Sequence, residues 1–469
     1  MKTKIICTIG PASSSEEMLA QLISAGMSVA RVNCSHGSID INEATIRRLQ
    51  KVRGDLGVPL AIMLDTKGPD IRIGTFEGGF TDLKEGQTFT LTTEKCVGDN
   101  TRVFVDCKKL PAAMPPGQEI LLNDGFIKIV VQLTTPTDVV CTVKIGGKLS
   151  DRKSLYAPGA NIGLPFLSKA DQLDLDLAIR TSVDYIAASF VGTAKNVLDM
   201  KKYLRQGGMD IPILAKIESK EGVSNIDAIL EVSDGIMTAR GDLGVEYPIE
   251  QIPTVQKHLT SKAVAAGRLV ITATEMLESM IEKPRPTRAE TTDIANAVYD
   301  GTSCLMLSAE TAMGKHPLKA VEYMRRIAEE AEANIDYATR FYTNKVRVQG
   351  TKHAFAKTIT GAAFEAKSKA IVVFTESGGT AIRVAKFHPS CKIYAYAREE
   401  KVYHQLSMHN DIVPIYMDKV LTTAEMLQIS NDYILKNKIA GKDEIIIVNA
   451  SYRDTDTDLV LIHPLSVSS

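Results

Sequence analysis

Neither sign of charge dominates this chain. Its 55 Lys and Arg against 56 Asp and Glu leave a formal net charge of −1 over 469 residues, a balance that gives no reason to expect a nucleic-acid or acidic-membrane partner. It has no CxxC pair: Cys7, Cys34, Cys96, Cys107, Cys141, Cys304 and Cys391 are scattered and odd in number. That usage reads as reduced cytosolic thiols and argues against a structural zinc site. No apolar run approaches ~20 residues, and the opening MKTKIICTIGP reaches Gly10 and Pro11 too soon for a secretory signal. A cytoplasmic protein, neither exported nor membrane-spanning, is the expectation. Internal repeats and low-complexity linkers are lacking too. What remains is an ordinary globular composition, 44% hydrophobic and 24% charged, with length for about three domains at ~150 residues each.

Strand-like and helix-like segments alternate from the start: Lys4 to Ile9, the amphipathic SSSEEMLAQLISAG stopped by Gly26, then Val29 to Asn33, a charged helix, and Leu60 to Asp65. The rhythm breaks between about Asp70 and Leu164, where TDLKEGQTFTLTTEK, TRVFVDCKKL, EILLNDGFIKIVVQLT and DVVCTVKIGG are separated by turn residues. That region reads as an inserted all-β module. From Ser168 the βα series resumes through DYIAASF, the strand bearing Lys216, the strand before Asp242, LVITATEML and CLMLSAE. Eight strands in two segments of about 240 residues together fit a βα barrel, typically ~250 residues, with the insert after the third strand. A fresh βα series beyond about Asn334 predicts a third, doubly wound domain. The expected limits are 1–69 with 165–335 for the barrel, 70–164 for the insert and 336–469 for the carboxyl-terminal domain.

The chemistry centres on IPILAKIESKEGV, Ile211 to Val223. Alternation puts Lys216 and Glu218 on one face at the carboxyl end of a buried strand, where barrel active sites lie. A second stretch, DGIMTARGDLGVE, brings Arg240, Gly241 and Asp242 to a strand-to-helix turn. There a glycine admits a ligand to the backbone, and free N–H groups form an anion site. Lys216 with Glu218 alone reads more often as a strand-end ion pair. With Asp242 it reads as two carboxylates for a hard divalent cation and a mobile positive charge beside them. RVNCSHG adds Arg31, Asn33, Ser35 and His36, and LDTKGPDIR adds Asp65, Thr66, Lys67, Asp70 and Arg72. The bland readings are turn residues for Asn33 and Ser35, a surface histidine for His36, and a backbone-bonded hydroxyl for Thr274. Oxygen ligands and arginine forks together are what phosphoryl transfer uses.

The ordered set TIGP, RVNCSHG, LDTKGPDIR, the β insert, AKIESKEGV, ARGDLGVE, ITATEMLESM, RPTRAE and LSAETAMGKHP resembles the pyruvate kinase family from end to end. The resemblance implies an eight-stranded βα (TIM) barrel with an inserted small β-barrel lid and a doubly wound α/β domain. It implies transfer of the phosphoryl group of phosphoenolpyruvate to ADP, giving pyruvate and ATP through a metal- and lysine-stabilised enolate that is then protonated. Mg2+ or Mn2+ would be held by Glu218 and Asp242, and K+ by Asn33, Ser35, Asp65 and Thr66. Arg31 would grip phosphate, Gly241 and Asp242 amides would receive the substrate carboxylate, and Thr274 would face the carbon that is protonated. His36, Arg72 and Lys153 would lie along the nucleotide path. Thr375, Ser377, Gly378, Gly379 and Thr380, opening the helix of Arg383, resemble the family's effector phosphate loop, with a plain βα turn as the alternative; Glu376 and the acidic stretch near Asp454 disfavour a bisphosphate. A homotetramer is implied. Asp70 stands where a glutamate is common, and Cys34, SLYAPG and Ala309 also depart from the family pattern. The rivals are a metal-dependent aldolase or lyase, which leaves Lys216, the insert and the first three strand-end motifs unexplained, and a silent sensor, which would lack one of Lys216, Glu218 or Asp242.

Overall fold

A computed structural model describes residues 1–69, 71–123, 125–160, 162–343, 346–451 and 458–465. Asp70 and the acidic stretch around Asp454 lie outside the described residues.

Eight parallel strands close into a barrel in chain order: Lys4–Thr8, Met27–Asn33, Ala61–Asp65, Tyr185–Ala188, Ile213–Ile217, Gly235–Ala239, Leu269–Ala273 and Cys304–Leu307, the last pairing with the first. Their residues are almost wholly buried, because helices cover the outside and side chains fill the inside. Two-residue alternation divides each strand between these surroundings. Ile213, Ala215 and Ile217 pack outward with the helices, whereas Ile6, Val29, Met63, Ala187 and Leu214 meet inside. Two residues further along, on the same inner face, come Thr8, Arg31, Asp65, Ser189 and Lys216. The barrel's top layer is therefore polar.

Local signals set the helices that brace these strands. Ser15 accepts a hydrogen bond from the Met18 amide and Gly26 ends that helix at φ 132°. Ser168 with Asp171, and Thr287 with Glu290, form reciprocal capping boxes.

The insert follows the third strand, as expected. Its main sheet has six strands and a two-stranded ribbon lies beside it, around one core built on Phe89, Ile120, Ile129 and Val139. The segment 71–73 bridges to Val105 on one side and Ser154 on the other, so the edges of the six-stranded sheet are joined and the module wraps shut. The carboxyl-terminal sheet has five strands, with Ala370–Thr375 central and Lys392–Ala397 and Ile412–Tyr416 on one side. Helices occupy both faces, giving two separate cores, and the sheet is doubly wound. One strand escaped the sequence reading: Asp458–Pro464 lies antiparallel at the edge. A short run ending in Pro464 after a polar stretch carries a weak signal, and an antiparallel edge on a parallel sheet is a common finish.

The two large domains meet at the barrel floor. Met408 is fully buried among the inward-facing residues of the barrel, and its carbonyl accepts from Cys304 Sγ (3.2 Å). Ser407 Oγ accepts from the Ala61 amide (3.0 Å) and donates to the Ser28 carbonyl (3.0 Å). A turn of the third domain thus plugs the barrel.

Candidate active site

The polar layer is a continuous hydrogen-bonded arc across the first five strands. Arg31 donates through Nη1 to Thr8 Oγ1 (2.9 Å) and through Nε to Asp65 Oδ2 (2.7 Å). Asp65 Oδ1 takes the Lys216 ammonium (3.1 Å), which also reaches Ser189 Oγ (2.7 Å) and Glu218 Oε1 (3.0 Å). Asp65 is fully buried. Burial alone would raise its carboxyl, but Arg31 and Lys216 outweigh that and hold it below the usual range. Burial likewise opposes the charge on Lys216, yet Asp65, Glu218 and Asp242 prevail, and its amine titrates well above the ordinary value. Lys216 is a fixed cation, unsuited to a Schiff base.

Glu218 responds in the opposite direction. Burial and the neighbouring Asp242 push its carboxyl up, against the pull of Lys216 and a hydrogen bond from the Phe190 amide (2.6 Å). Two acids compete for one lysine in a dry corner. A divalent cation would relieve that competition, and an all-oxygen set of two carboxylates suits magnesium or manganese, which take their remaining ligands from water and phosphate. The donor chemistry fits the ion. Asp242 stands on the first turn of the helix Arg240–Glu246, which follows the sixth strand without a break.

The second- and third-strand exits lie side by side, with Asn33 and Asp65 in register. Asn33 Oδ1 accepts from the Ser35 amide (3.1 Å), and Thr66 Oγ1 accepts from the Ser189 amide (3.3 Å). Asn33, Ser35, Asp65 and Thr66 therefore bring oxygens to neighbouring turns. His36 is exposed. Partial burial and then the nearby cations Arg72, Arg31 and Lys67 lower its pKa. Arg72 Nη1 donates to the Arg152 carbonyl (3.1 Å), and the Lys153 carbonyl accepts from the Ile73 amide (3.0 Å). Arg72 and Lys153 thus share the seam between insert and barrel.

Thr274 and Glu275 both lie at positive φ, 70° and 53°, an outlier for a β-branched residue and a mark of backbone held at a cost. The Thr274 hydroxyl accepts from the Gly241 amide (2.9 Å) and donates to the Ala273 carbonyl (2.6 Å). That pairing differs from the expectation of an open Gly241 amide: a carboxylate arriving there meets Gly241 and Thr274 as one unit.

Three further residues touch this cluster without a local sequence signal for it. Ser189, one residue beyond the fourth strand, bonds Lys216 and donates to the Thr66 carbonyl (2.7 Å). A polar residue between the third and fifth strand ends becomes a signal only once the strand order is known. Buried Arg240 donates to the Thr274 carbonyl through Nη2 (2.5 Å) and Nε (3.1 Å) and pairs with Asp293 (2.5 Å). It clamps the strained residue from below. Tyr156, from the insert, donates to Asp242 Oδ1 (3.0 Å), tying lid to barrel across the site.

Thr375, Ser377, Gly378, Gly379 and Thr380 lie where the central strand of the third domain passes into the short helix Gly379–Ala385, with Gly378 at φ 76°. A Cβ at Gly379 would lie 3.0 Å from Arg383 Nη1 and 3.4 Å from Ser377 Oγ. The loop, glycine and arginine are packed together.

Comparison with known proteins agrees with this geometry. The family model described as pyruvate kinase, barrel domain, matches residues 1–321, and that described as pyruvate kinase, alpha/beta domain, matches residues 353–463. The chain is 41% identical over 452 residues to the pyruvate kinase of Clostridium acetobutylicum, covering 96% of each. To that of Thermotoga maritima it is 39% identical over 448 residues, again covering 96% of each. A crystal structure of a pyruvate kinase from Cryptosporidium parvum superposes with a TM-score of 0.93 at 35% identity, covering 99% of this chain and 96% of that one. With both family models matched in order and these relatives aligned along nearly their whole length, the chain belongs to the pyruvate kinase family.

Proposed function

We propose that this chain transfers the phosphoryl group of phosphoenolpyruvate to ADP, forming pyruvate and ATP, with Lys216, Arg31 and Thr274 as its catalytic residues. The observation that carries the reading is the meeting of the Lys216 ammonium with Asp65, Ser189 and Glu218 at one rim of the barrel. Phosphoryl transfer needs positioning and charge neutralisation rather than covalent help. Lys216, charged throughout, offsets the charge that moves from the phosphoryl group to the enolate oxygen. Arg31, oriented by Asp65 and Thr8, keeps Nη2 available among the described residues to grip a phosphate oxygen. Gly241, Asp242 and Thr274 receive the carboxylate, and Thr274 presents the hydroxyl side from which the enolate is protonated. His36, Arg72 and Lys153 line the nucleotide path at the insert seam. Mg2+ or Mn2+, which this family generally needs, would be held by Glu218 and Asp242 and would supply Lewis-acid stabilisation of the same charge. K+ would be held by Asn33, Ser35, Asp65 and Thr66.

The domain limits 1–69 with 165–335, 70–164 and 336–469, a homotetramer, cytoplasmic residence, and binding of a phosphorylated effector by Thr375, Ser377, Gly378, Gly379 and Thr380 belong to the same reading. Among the described residues no helix is long and apolar enough to cross a membrane. Replacing Lys216 by Met tests the core of it in a coupled assay with phosphoenolpyruvate, ADP and Mg2+. ATP formation should be lost while calorimetry still detects Mn2+ binding, and undiminished turnover overturns the assignment.

A further inference from the structure

Opposite the chemistry, at the amino-terminal ends of the barrel strands, a cavity of about 290 Å3 separates the barrel from the carboxyl-terminal domain. Two cations from different domains face into it. Arg268 follows the turn that ends the helix Ile252–Ala266, and Lys386 caps the helix Gly379–Ala385. Arg268 spends two of its donors on the Leu230 and Glu231 carbonyls (3.0 and 3.1 Å). The Lys386 ammonium makes no hydrogen bond or ion pair among the described residues. Burial, Arg268 and Arg383 bring its pKa down to about 8.

The acids nearby are already engaged. Asp234, on the cavity wall, pairs with Lys201 (2.9 Å) and accepts from the Ile213 amide (2.9 Å). Asp411 faces Lys2 and His388 (3.5 and 3.6 Å). His409, also on the wall, is held neutral by burial and by Lys386 and Lys4, its pKa brought down to about 3, and shares Nε2 with the Tyr185 hydroxyl (3.2 Å). Both of the Asp234 contacts fall on Oδ2, and among the described residues no carboxylate pairs with Lys386.

The stem of Lys386 packs closely on a glycine of the barrel domain. Gly267 sits at φ 63°, and a Cβ there would lie 2.6 Å from Lys386 Cδ and 3.2 Å from its Nζ. Gly267 is the left-handed cap of the helix Ile252–Ala266, and a side chain there would make the lysine stem shift. Two half-buried like charges that no carboxylate pairs among the described residues are costly, and the cost is recovered when an anion enters between them. A lysine point charge beside an arginine fork suits phosphate. The remaining walls, Val264, Ile382, Val402 and Leu406, suit a small carbon frame, and the volume lies at the small end of ligand sites.

We propose that this cavity is a binding site for a small organic monophosphate, its phosphate held by Lys386 and Arg268. It goes beyond the effector-loop reading and does not rest on it, although Ser377 of that loop lies on its rim. A ligand here cross-braces two domains. The same wall carries Tyr185, whose hydroxyl donates to the Gln405 carbonyl (3.0 Å), and Asp234, which anchors the start of the strand that carries Lys216. Occupancy is therefore linked to the geometry of the barrel, and substrate and ligand affinities shift each other reciprocally.

The test uses the full chain with ribose 5-phosphate and, separately, inorganic phosphate as probes, in calorimetry and thermal melting. Saturable binding of ribose 5-phosphate is expected, weakened at least tenfold by Lys386→Met and by Arg268→Gln, kept within a few-fold by Lys386→Arg, and unaffected by Thr380→Val. Turnover without probe should be unchanged in the Lys386 and Arg268 variants. Binding that survives Lys386→Met, as capture by the active site would, overturns the proposal. So does binding lost with Thr380→Val but kept without Lys386, or no binding of either probe to the wild type.

Discussion

Replacing Ser189 by Ala is the sharpest probe of how the lysine is held. Ser189 is 2% exposed; its oxygen accepts from Lys216 at 2.7 Å and its proton goes to the Thr66 carbonyl at 2.7 Å. Alanine keeps the backbone and removes both bonds. A hydrogen bond to a charged group contributes about 1.5–3 kcal/mol, but Lys216 retains Asp65 and Glu218, so the low end applies. At ~1.4 kcal/mol per tenfold, kcat should fall roughly 10-fold, with the KM for phosphoenolpyruvate changed less than about threefold because Arg31 and Gly241 are untouched. The buried carbonyl of Thr66 loses its donor at the same time, costing about 1 kcal/mol of stability, or about 2–4 °C in the melting of a domain of this size. Steady-state kinetics beside a thermal melt separates the two effects. A variant with wild-type kcat and a lowered melting temperature would show that Ser189 supports the fold and does not aim the lysine, refuting the reasoning.

Three further outcomes follow from the site. Arg240→Lys cannot reproduce two bonds to the Thr274 carbonyl together with the Asp293 pair, so Thr274 should relax from its positive φ; we expect a loss of ~2–3 kcal/mol in stability and a fall in kcat of at least tenfold, and full activity would dismiss the clamp. Because Glu218 is pushed above its ordinary value of 4.5, it must release a proton to meet a cation. Apparent Mn2+ affinity should therefore rise with pH through that titration, while the metal-free protein, whose folded state holds the proton more tightly than the unfolded chain, loses stability as pH climbs from about 4.5; calorimetry in buffers of different ionisation enthalpy would show no proton release if Glu218 were ionised beforehand. Tyr156→Phe removes an insert-to-barrel bond of about 1 kcal/mol and should raise the KM for ADP a few-fold at constant kcat; an unchanged KM marks the contact as incidental.

Much of this was legible before any coordinates. Each barrel strand announces itself by an apolar run, and its carboxyl end by the polar residue that follows on the inner face, so Arg31, Asp65 and Lys216 could be placed on one rim by alternation alone. What stayed hidden depends on pairings between distant segments. Ser189 reads as an ordinary turn residue until the fourth strand is known to lie between Asp65 and Lys216. The role of Arg240 depends on Asp293 and on a strained carbonyl at residue 274, and no local pattern joins them. That the Gly241 amide pairs with the Thr274 hydroxyl is a fact of neighbouring strands, and the lone amine of Lys386 becomes unusual only when Gly267 and Arg268 arrive beside it.

The Met408 plug has a consequence for how the protein is made. The eighth barrel strand ends at Leu307, yet the residue that seals the hollow beneath it is synthesised about 100 positions later, some 5–20 s at ordinary elongation rates. During that interval a nascent barrel presents Tyr185, Leu269 and Cys304 at an unsealed base, a sticky surface of the kind holdase chaperones cover. A gene fragment truncated at residue 335 would leave that base open permanently, so it should aggregate on release from the ribosome even though every residue assigned to the chemistry is present in it.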